Sequence, residues 1–193
     1  EVWACDFSPV MLELMMRRAT EEGLDERIHP TQLSWSDGWE SAKLPTCDVA
    51  FASRSIATAD LRDALTKLDT QATRRVCITL GTNESPRTDD VLTAVLGRSM
   101  PKRPDFVYAM NILWDMQIWP RLDFIVSKRS DGFPSPEDAV EKFAAIYHAN
   151  EEERGRLERY IAEHMQPRQT DEGTEWVFDH ERTTKWAFMS WDK

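Results

Sequence analysis

A chain of 193 residues with 41% hydrophobic side chains is long enough to bury a two-sided sheet core in a single domain, residues 1–193. Its formal net charge of −10 opposes a phosphate backbone, which excludes duplex nucleic acid as a general partner. No apolar run reaches the ~20 residues of a membrane span, and the first residues lack the basic and apolar regions of a signal peptide.

In chain order, the apolar strand Val2–Cys5 delivers an acid, Asp6, and Ser8-Pro9 opens an amphipathic helix over Pro9–Glu22 that stops near Gly23. A strand follows over Ile28–Leu33, then the turn S-W-S-D-G-W at Ser34–Trp39 and a strand over Val49–Ala52. Asp60 is placed to cap a helix over Leu61–Leu68, and Val76–Leu80 is the next strand. Asp89–Leu96 reads as a helix, followed by a break at Pro101 and Pro104 and an aromatic segment over Phe106–Pro120. Residues 98–122 are thus the expected insertion. Phe124–Ser127 is a strand, Ser135-Pro136 starts a helix with an acidic first turn, and Glu151–Met165 is a strongly charged helix ending before Pro167. Gln169–Gly173 reads as a polar turn, and Glu175–Asp179 with Lys185–Ser190 as a closing antiparallel hairpin whose last strand is Trp186–Trp191. Short apolar runs alternating with helical patterns predict βαβ units and a mostly parallel sheet. The cysteines Cys5, Cys47 and Cys77 lack metal-ligand spacing and lie in or beside apolar runs, which predicts buried free thiols in a reducing cytoplasm.

Asp6 carries the sharpest chemistry. Ligands of open parallel α/β sheets sit beyond the carboxyl ends of the strands, where an acceptor-only carboxylate can take hydrogen bonds from both hydroxyls of a ribose. The competing reading is a cap that satisfies amides of the following helix. A Gly-rich turn normally stands about one βα unit before such an acid, and none of the seven glycines forms a G-x-G.

Together, D-F-S-P-x-M-L at Asp6–Leu12, S-W-S-D-G-W at Ser34–Trp39, C-D-V-A-F-A-S-R-S at Cys47–Ser55 and R-V-C-I-T-L at Arg75–Leu80 resemble a Rossmann-like (class I) S-adenosylmethionine-dependent methyltransferase. The resemblance covers nearly the whole chain and starts at the family's second strand. It implies a three-layer α/β sandwich, mostly parallel with a reversed last strand, and N-terminally truncated: the family's first strand and its Gly-rich loop would precede Glu1. It also implies S-adenosylmethionine as cofactor and a small-molecule acceptor. A homodimer, or a co-purified N-terminal fragment, is the expected substitute for the central strand. The expected setting is cytoplasmic, without nucleic-acid or membrane partners.

The resemblance assigns cofactor contacts to Asp6, Phe7, Ser8 and Met11. Met11 faces the adenine side in such a site, and is equally explicable as a core residue. Ser36-Asp37 stands where the family meets the adenine amino group, with Trp35 or Trp39 as a cover; the alternative is a tight D-G turn with its tryptophans folded inward. Ala52 and Ser53 end the strand beside the sulfonium. Arg54 is placed to clamp an anionic acceptor, or to pair with Asp60 or Asp63. Tyr108, Asn111, Trp114, Asp115 and Trp119 mix apolar walls with polar handles, as substrate pockets do, or form a helix face packed on the core or a second subunit.

No residue stands out as a general base, and the four histidines, His29, His148, His164 and His180, are scattered without metal-ligand spacing. A nucleophile elbow, a P-loop and a Y-x-x-x-K pair are absent from the sequence. Two other classes stay open: a non-catalytic Rossmann-like binding or interaction module, favoured by the lack of G-x-G, and an NAD(P)-dependent oxidoreductase, whose ribose Asp6 would serve as well.

Overall fold

The computed structural model describes residues 1–56, 58–82, 89–99, 105–171 and 173–193, with Arg129 described by its backbone alone. Its elements follow in the order β1 (Val2–Asp6), α1 (Pro9–Glu21), β2 (Ile28–Gln32), β3 (Cys47–Ser53), α2 (Leu61–Gln71), β4 (Ala72–Gly81), α3 (Asp90–Val95), α4 (Asp105–Asp115), β5 (Arg121–Arg129), α5 (Pro136–Tyr147), α6 (Glu151–His164), β6 (Met165–Thr170), β7 (Gly173–Phe178) and β8 (Arg182–Asp192). The expected break at Pro101 and Pro104 lies outside the described residues. Two compact units result, one of Glu1–Leu80 with Val107–Leu122 and Phe188–Lys193, the other of Gly81–Phe106 with Asp123–Ala187.

In the first unit, α1 starts where the sequence places it. Ser8 is the N-cap and its hydroxyl accepts from Met11 N, while Pro9 fills the first helical position, where no N–H is needed. The helix ends at Gly23, whose φ of 67° most side chains avoid, and Leu24 N donates back to Ala19 O at 2.8 Å. β1 and β2 pair in parallel from Val2 opposite Ile28 to Asp6 opposite Gln32, and α1 packs against both. Pro30, which has no N–H to give, is tolerated in β2 because that strand pairs only with β1 among the described residues.

β3 and β4 form a second parallel pair, joined by α2, which packs against β3. Asp60 caps α2 by accepting from Asp63 N at 2.9 Å, as its position in the sequence predicts. The core of this unit takes Ala64, Leu65 and Leu68 from α2, Val76 and Ile78 from β4, Ala109 and Leu113 from α4, and Met189 and Trp191 from β8. The last strand is reversed, as expected: Lys193 N donates to Arg74 O and Asp192 pairs with Arg75, so β8 descends as β4 rises. Trp191 Nε1 also donates to Asp69 Oδ1 at 2.8 Å, which ties β8 to α2.

In the second unit, Leu92 and Leu96 from the α3 segment pack with Phe143 and Tyr147 of α5 and Leu157 and Ile161 of α6. α6 opens with a capping box between Asn150 and Glu153, and Glu153 also takes a two-pronged ion pair from Arg98. That guanidinium and the Asn150 N–H hold the Glu153 carboxyl down at about 2.

Three expectations are corrected here. Glu175–Asp179 does not pair with Lys185–Ser190; β7 pairs with β6 in an antiparallel hairpin running from Met165 opposite Phe178 to Thr170 opposite Gly173. The reason is chain proximity and charge. Only two residues separate Thr170 from its partner Gly173, which keeps the two strands together, and Arg168 meets Glu175 across them at 2.6 Å. The expected turn over Gln169–Gly173 is correspondingly shorter, since Gln169 and Thr170 belong to β6. The cysteines are free, but Cys5 is exposed and Cys47 and Cys77 are half-buried, because an alternating strand with one uncovered face cannot bury every small apolar residue.

Candidate functional site

All the expected cofactor-binding residues fall in the first unit, at the carboxyl ends of β1, β2 and β3. Asp6 is half-buried at the end of β1. Its Oδ1 accepts from Ser8 N at 2.8 Å, so part of the capping reading holds, although the N-cap itself is Ser8. Its Oδ2 has no hydrogen-bond partner among the described residues. Gln32 Nε2, at the end of β2, donates to Phe7 O at 3.2 Å and fixes the loop that follows Asp6. Phe7 and Met11 are exposed, at 72% and 54%, which removes the core reading of Met11.

After β2, Ser34–Asp37 closes as a turn. Asp37 N donates to Ser34 O, and Asp37 Oδ2 accepts from Ser34 N at 2.8 Å. Asp37 therefore spends one carboxylate oxygen on its own turn, and Ser36 is exposed beside it. Trp35 and Trp39 stack on each other with ring centroids 5.2 Å apart. The Trp35 indole N–H reaches across to Ser55 O at 2.8 Å, which places the loop after β2 against the loop after β3.

The end of β3 is held from β4. Ser53 lies opposite Thr79, their hydroxyls are 3.0 Å apart, and Thr79 Oγ1 accepts from Arg54 N at 3.0 Å. Arg54 has φ 58°, a left-handed backbone that a residue with a Cβ adopts only under constraint. Ala52 is buried, Ser53 half-buried and Arg54 exposed. Neither carboxylate considered as a partner of Arg54 is idle: Asp60 caps α2 and Asp63 pairs with Lys67 at 2.6 Å.

Tyr108, Asn111 and Trp114 lie on α4, and Trp119 just beyond it. Asn111 Nδ2 turns back to Val107 O at 2.9 Å. The helix stops through Gln117 at φ 61°, with Ile118 N donating to Leu113 O, and the chain reversal brings Trp119 within 6.2 Å of Trp114, ring to ring. Tyr108, Trp114 and Trp119 are 62%, 48% and 70% exposed, so these aromatics present an open surface. Asp115 ties α4 to α2 through Arg62 at 2.7 Å.

Two contributors escape the sequence reading. Lys67, only 14% exposed, donates to Trp35 O and Asp37 O at 2.7 and 2.9 Å and so holds the aromatic turn from α2. Its one local signal is the Asp63/Lys67 spacing on a helix. Thr79 carries no local signal at all.

Parallel strand pairs joined by helices and a reversed last strand, with polar groups gathered at the strand carboxyl ends, define a Rossmann-like α/β fold. The chain superposes on a protein of Bacillus halodurans C-125 that bears a methyltransferase name, with TM-score 0.54 at 9% identity over 100% of this chain and 82% of that one. Precorrin-6y C5,15-methyltransferase of Geobacter metallireducens gives TM-score 0.51 at 10% identity over 99% of this chain and 67% of that one. Precorrin 8W decarboxylase of Methanobacterium thermoautotrophicum gives 0.50 at 14% identity, over 99% and 69%. Identities this low speak for the fold alone. No family model matches the chain. An uncharacterized protein of Haemophilus influenzae is 33% identical over 124 residues, which are 64% of this chain and 45% of that protein, so the chain spans less than half the length of the curated relative it matches.

Proposed function

We propose that this chain is an S-adenosylmethionine-dependent methyltransferase, or its cofactor-binding core, acting on a small-molecule acceptor in the cytoplasm. The observation that carries the reading is Asp6: one carboxylate oxygen fixed by Ser8 N, the other without a partner among the described residues, at the carboxyl end of a parallel strand. That oxygen is an acceptor held in place for a ribose hydroxyl. Phe7, Ser8 and Met11 extend the same edge, and Trp35 with Ser36 and Asp37 offers a flat apolar wall beside an acid, which suits adenine. Ala52 and Ser53 border the place of transfer, while Arg54, Tyr108, Asn111, Trp114 and Trp119 are assigned to the acceptor. The bound cofactor supplies an electrophilic methyl group on a sulfonium. The protein's contribution is to align the two reactants and exclude water.

The methionine end of that cofactor needs a Gly-rich loop, which no G-x-G in these 193 residues provides. β1 pairs only with β2, and β3 only with β4, among the described residues. This favours a second reading, a non-catalytic Rossmann-like binding or interaction module whose open strand edges are available to a second copy of the chain. Titration calorimetry with S-adenosylhomocysteine, with NAD as control, separates the classes. Binding of S-adenosylhomocysteine at micromolar strength, about −8 kcal/mol, and none of NAD supports the methyltransferase. Binding of NAD alone moves the chain to the oxidoreductases, and binding of neither moves it to the interaction module.

A further inference from the structure

Arg54 holds a conformation that its own side chain disfavours, so something nearby must hold it there. The holding group is visible. Thr79 lies on β4 directly opposite Ser53, is 5% exposed, and places one hydroxyl oxygen 3.0 Å from Arg54 N and 3.0 Å from Ser53 Oγ. Beyond it, Ser55 O is held by the Trp35 indole. The loop after β3 is thus fixed at two successive residues, from β4 on one side and from the turn after β2 on the other.

We infer that Thr79 is a positioning residue: its hydroxyl holds Arg54 in the left-handed conformation and so sets where Ser53 and Arg54 stand toward a ligand at the strand ends. This rests on the reading that the loop after β3 faces the cofactor. Without the Thr79 hydroxyl, the Arg54 amide loses this hydrogen bond, and the backbone relaxes toward the ordinary right-handed or extended regions.

A merely structural role for a buried, β-branched strand residue makes the opposite ranking of variants. Packing favours Thr79→Val, which keeps shape and branching, over Thr79→Ser, which loses a methyl group. Positioning favours Thr79→Ser. The test measures amide hydrogen exchange at Arg54 without ligand, and S-adenosylhomocysteine affinity by calorimetry, in the unsubstituted chain, both Thr79 variants, Arg54→Gly, and Arg54→Gly with Thr79→Val. Thr79→Val is expected to speed Arg54 exchange and to weaken the ligand by about tenfold, the worth of one ordinary hydrogen bond, while Thr79→Ser keeps both. Glycine adopts the left-handed region freely, so Thr79→Val is expected to cost the ligand little in the Arg54→Gly background. Unchanged Arg54 exchange in Thr79→Val, or a loss of affinity as large in the glycine background as in the original, overturns the inference. Failure of the unsubstituted chain to bind S-adenosylhomocysteine overturns the cofactor reading instead, and with it the role of Thr79 toward that ligand.

Discussion

The proposed function gives Asp6 two separable contributions, and its variants resolve them. Oδ1 serves the fold, by accepting from Ser8 N at 2.8 Å, and Oδ2 is the atom assigned to the ribose. Asp6→Asn keeps a carbonyl oxygen for Ser8 N and turns the open oxygen into an N–H₂ donor. One hydrogen bond to a charged acceptor is worth about 1.5–3 kcal/mol, so Asp6→Asn is expected to weaken S-adenosylhomocysteine by roughly 10- to 100-fold. Asp6→Ala removes both acceptors. It should cost the ligand at least as much and, in addition, cost the fold about 1 kcal/mol, as loss of a helix-start acceptor does, or roughly 2–4 °C in melting temperature for a chain of this length. Titration calorimetry reads the first effect and thermal denaturation the second. If Asp6→Asn binds the ligand as well as the original chain while Asp6→Ala lowers only the melting temperature, Asp6 is a cap and the ribose assignment fails.

Lys67→Met keeps the aliphatic stem but removes the donors to Trp35 O and Asp37 O and the pair with Asp63. It is expected to destabilise the first unit by about 1–3 kcal/mol in urea denaturation and to expose the Ser34–Asp37 turn to proteolysis; an unchanged turn would show that the α2 contact is dispensable. Glu153 predicts an acid limb for the second unit. Its folded pKa of about 2 lies below the ordinary 4.5, so its stabilisation is fully present above pH 4.5 and is lost as pH falls toward 2, and Glu153→Gln should flatten a melting-temperature profile across that window. Asp179 is likewise held below the usual carboxylate range, by His164 and His180, so its stabilisation too is present above ordinary aspartate titration and fades as pH falls below it. Amide exchange along β1 and β3 should alternate, with amides bonded to β2 and β4 protected and those on the other side exchanging as fast as loops. Uniform protection in the isolated chain would mean that those edges are already paired.

Helix starts were legible because their signals are local. Ser8-Pro9, Asp60 and Ser135-Pro136 each place an acceptor ahead of a periodic run, and each is a cap in the fold. The partner of β7 was not legible, since an alternating strand looks the same whichever strand it meets, and β6, with the sequence MQPRQT, is too polar to announce itself. The site divides along the same line. Asp6 and Trp35 stand next in sequence to the strands that position them, whereas Lys67 is 32 residues from Trp35, and Thr79 is 25 residues from Arg54, so their roles exist only once the sheet has formed.

The bonds that shape the site also tie the first unit together. β1 with β2 is a two-stranded pair, which without further cover is marginal in water, and α1 supplies that cover on one side. The Trp35 indole to Ser55 O and the Lys67 ammonium to Trp35 O and Asp37 O then join this pair, through the turn after β2, to the β3 end and to α2. A ligand held by Asp6 on one side and by Ser53 and Arg54 on the other would make the same connection from outside. Anything that binds only the folded arrangement adds stability as its concentration rises, about 2.7 kcal/mol at a hundredfold excess over its dissociation constant. On the proposed reading, ligand capture and consolidation of the strand ends would therefore be one process in this unit, because each requires the loops after β1, β2 and β3 to be in place together.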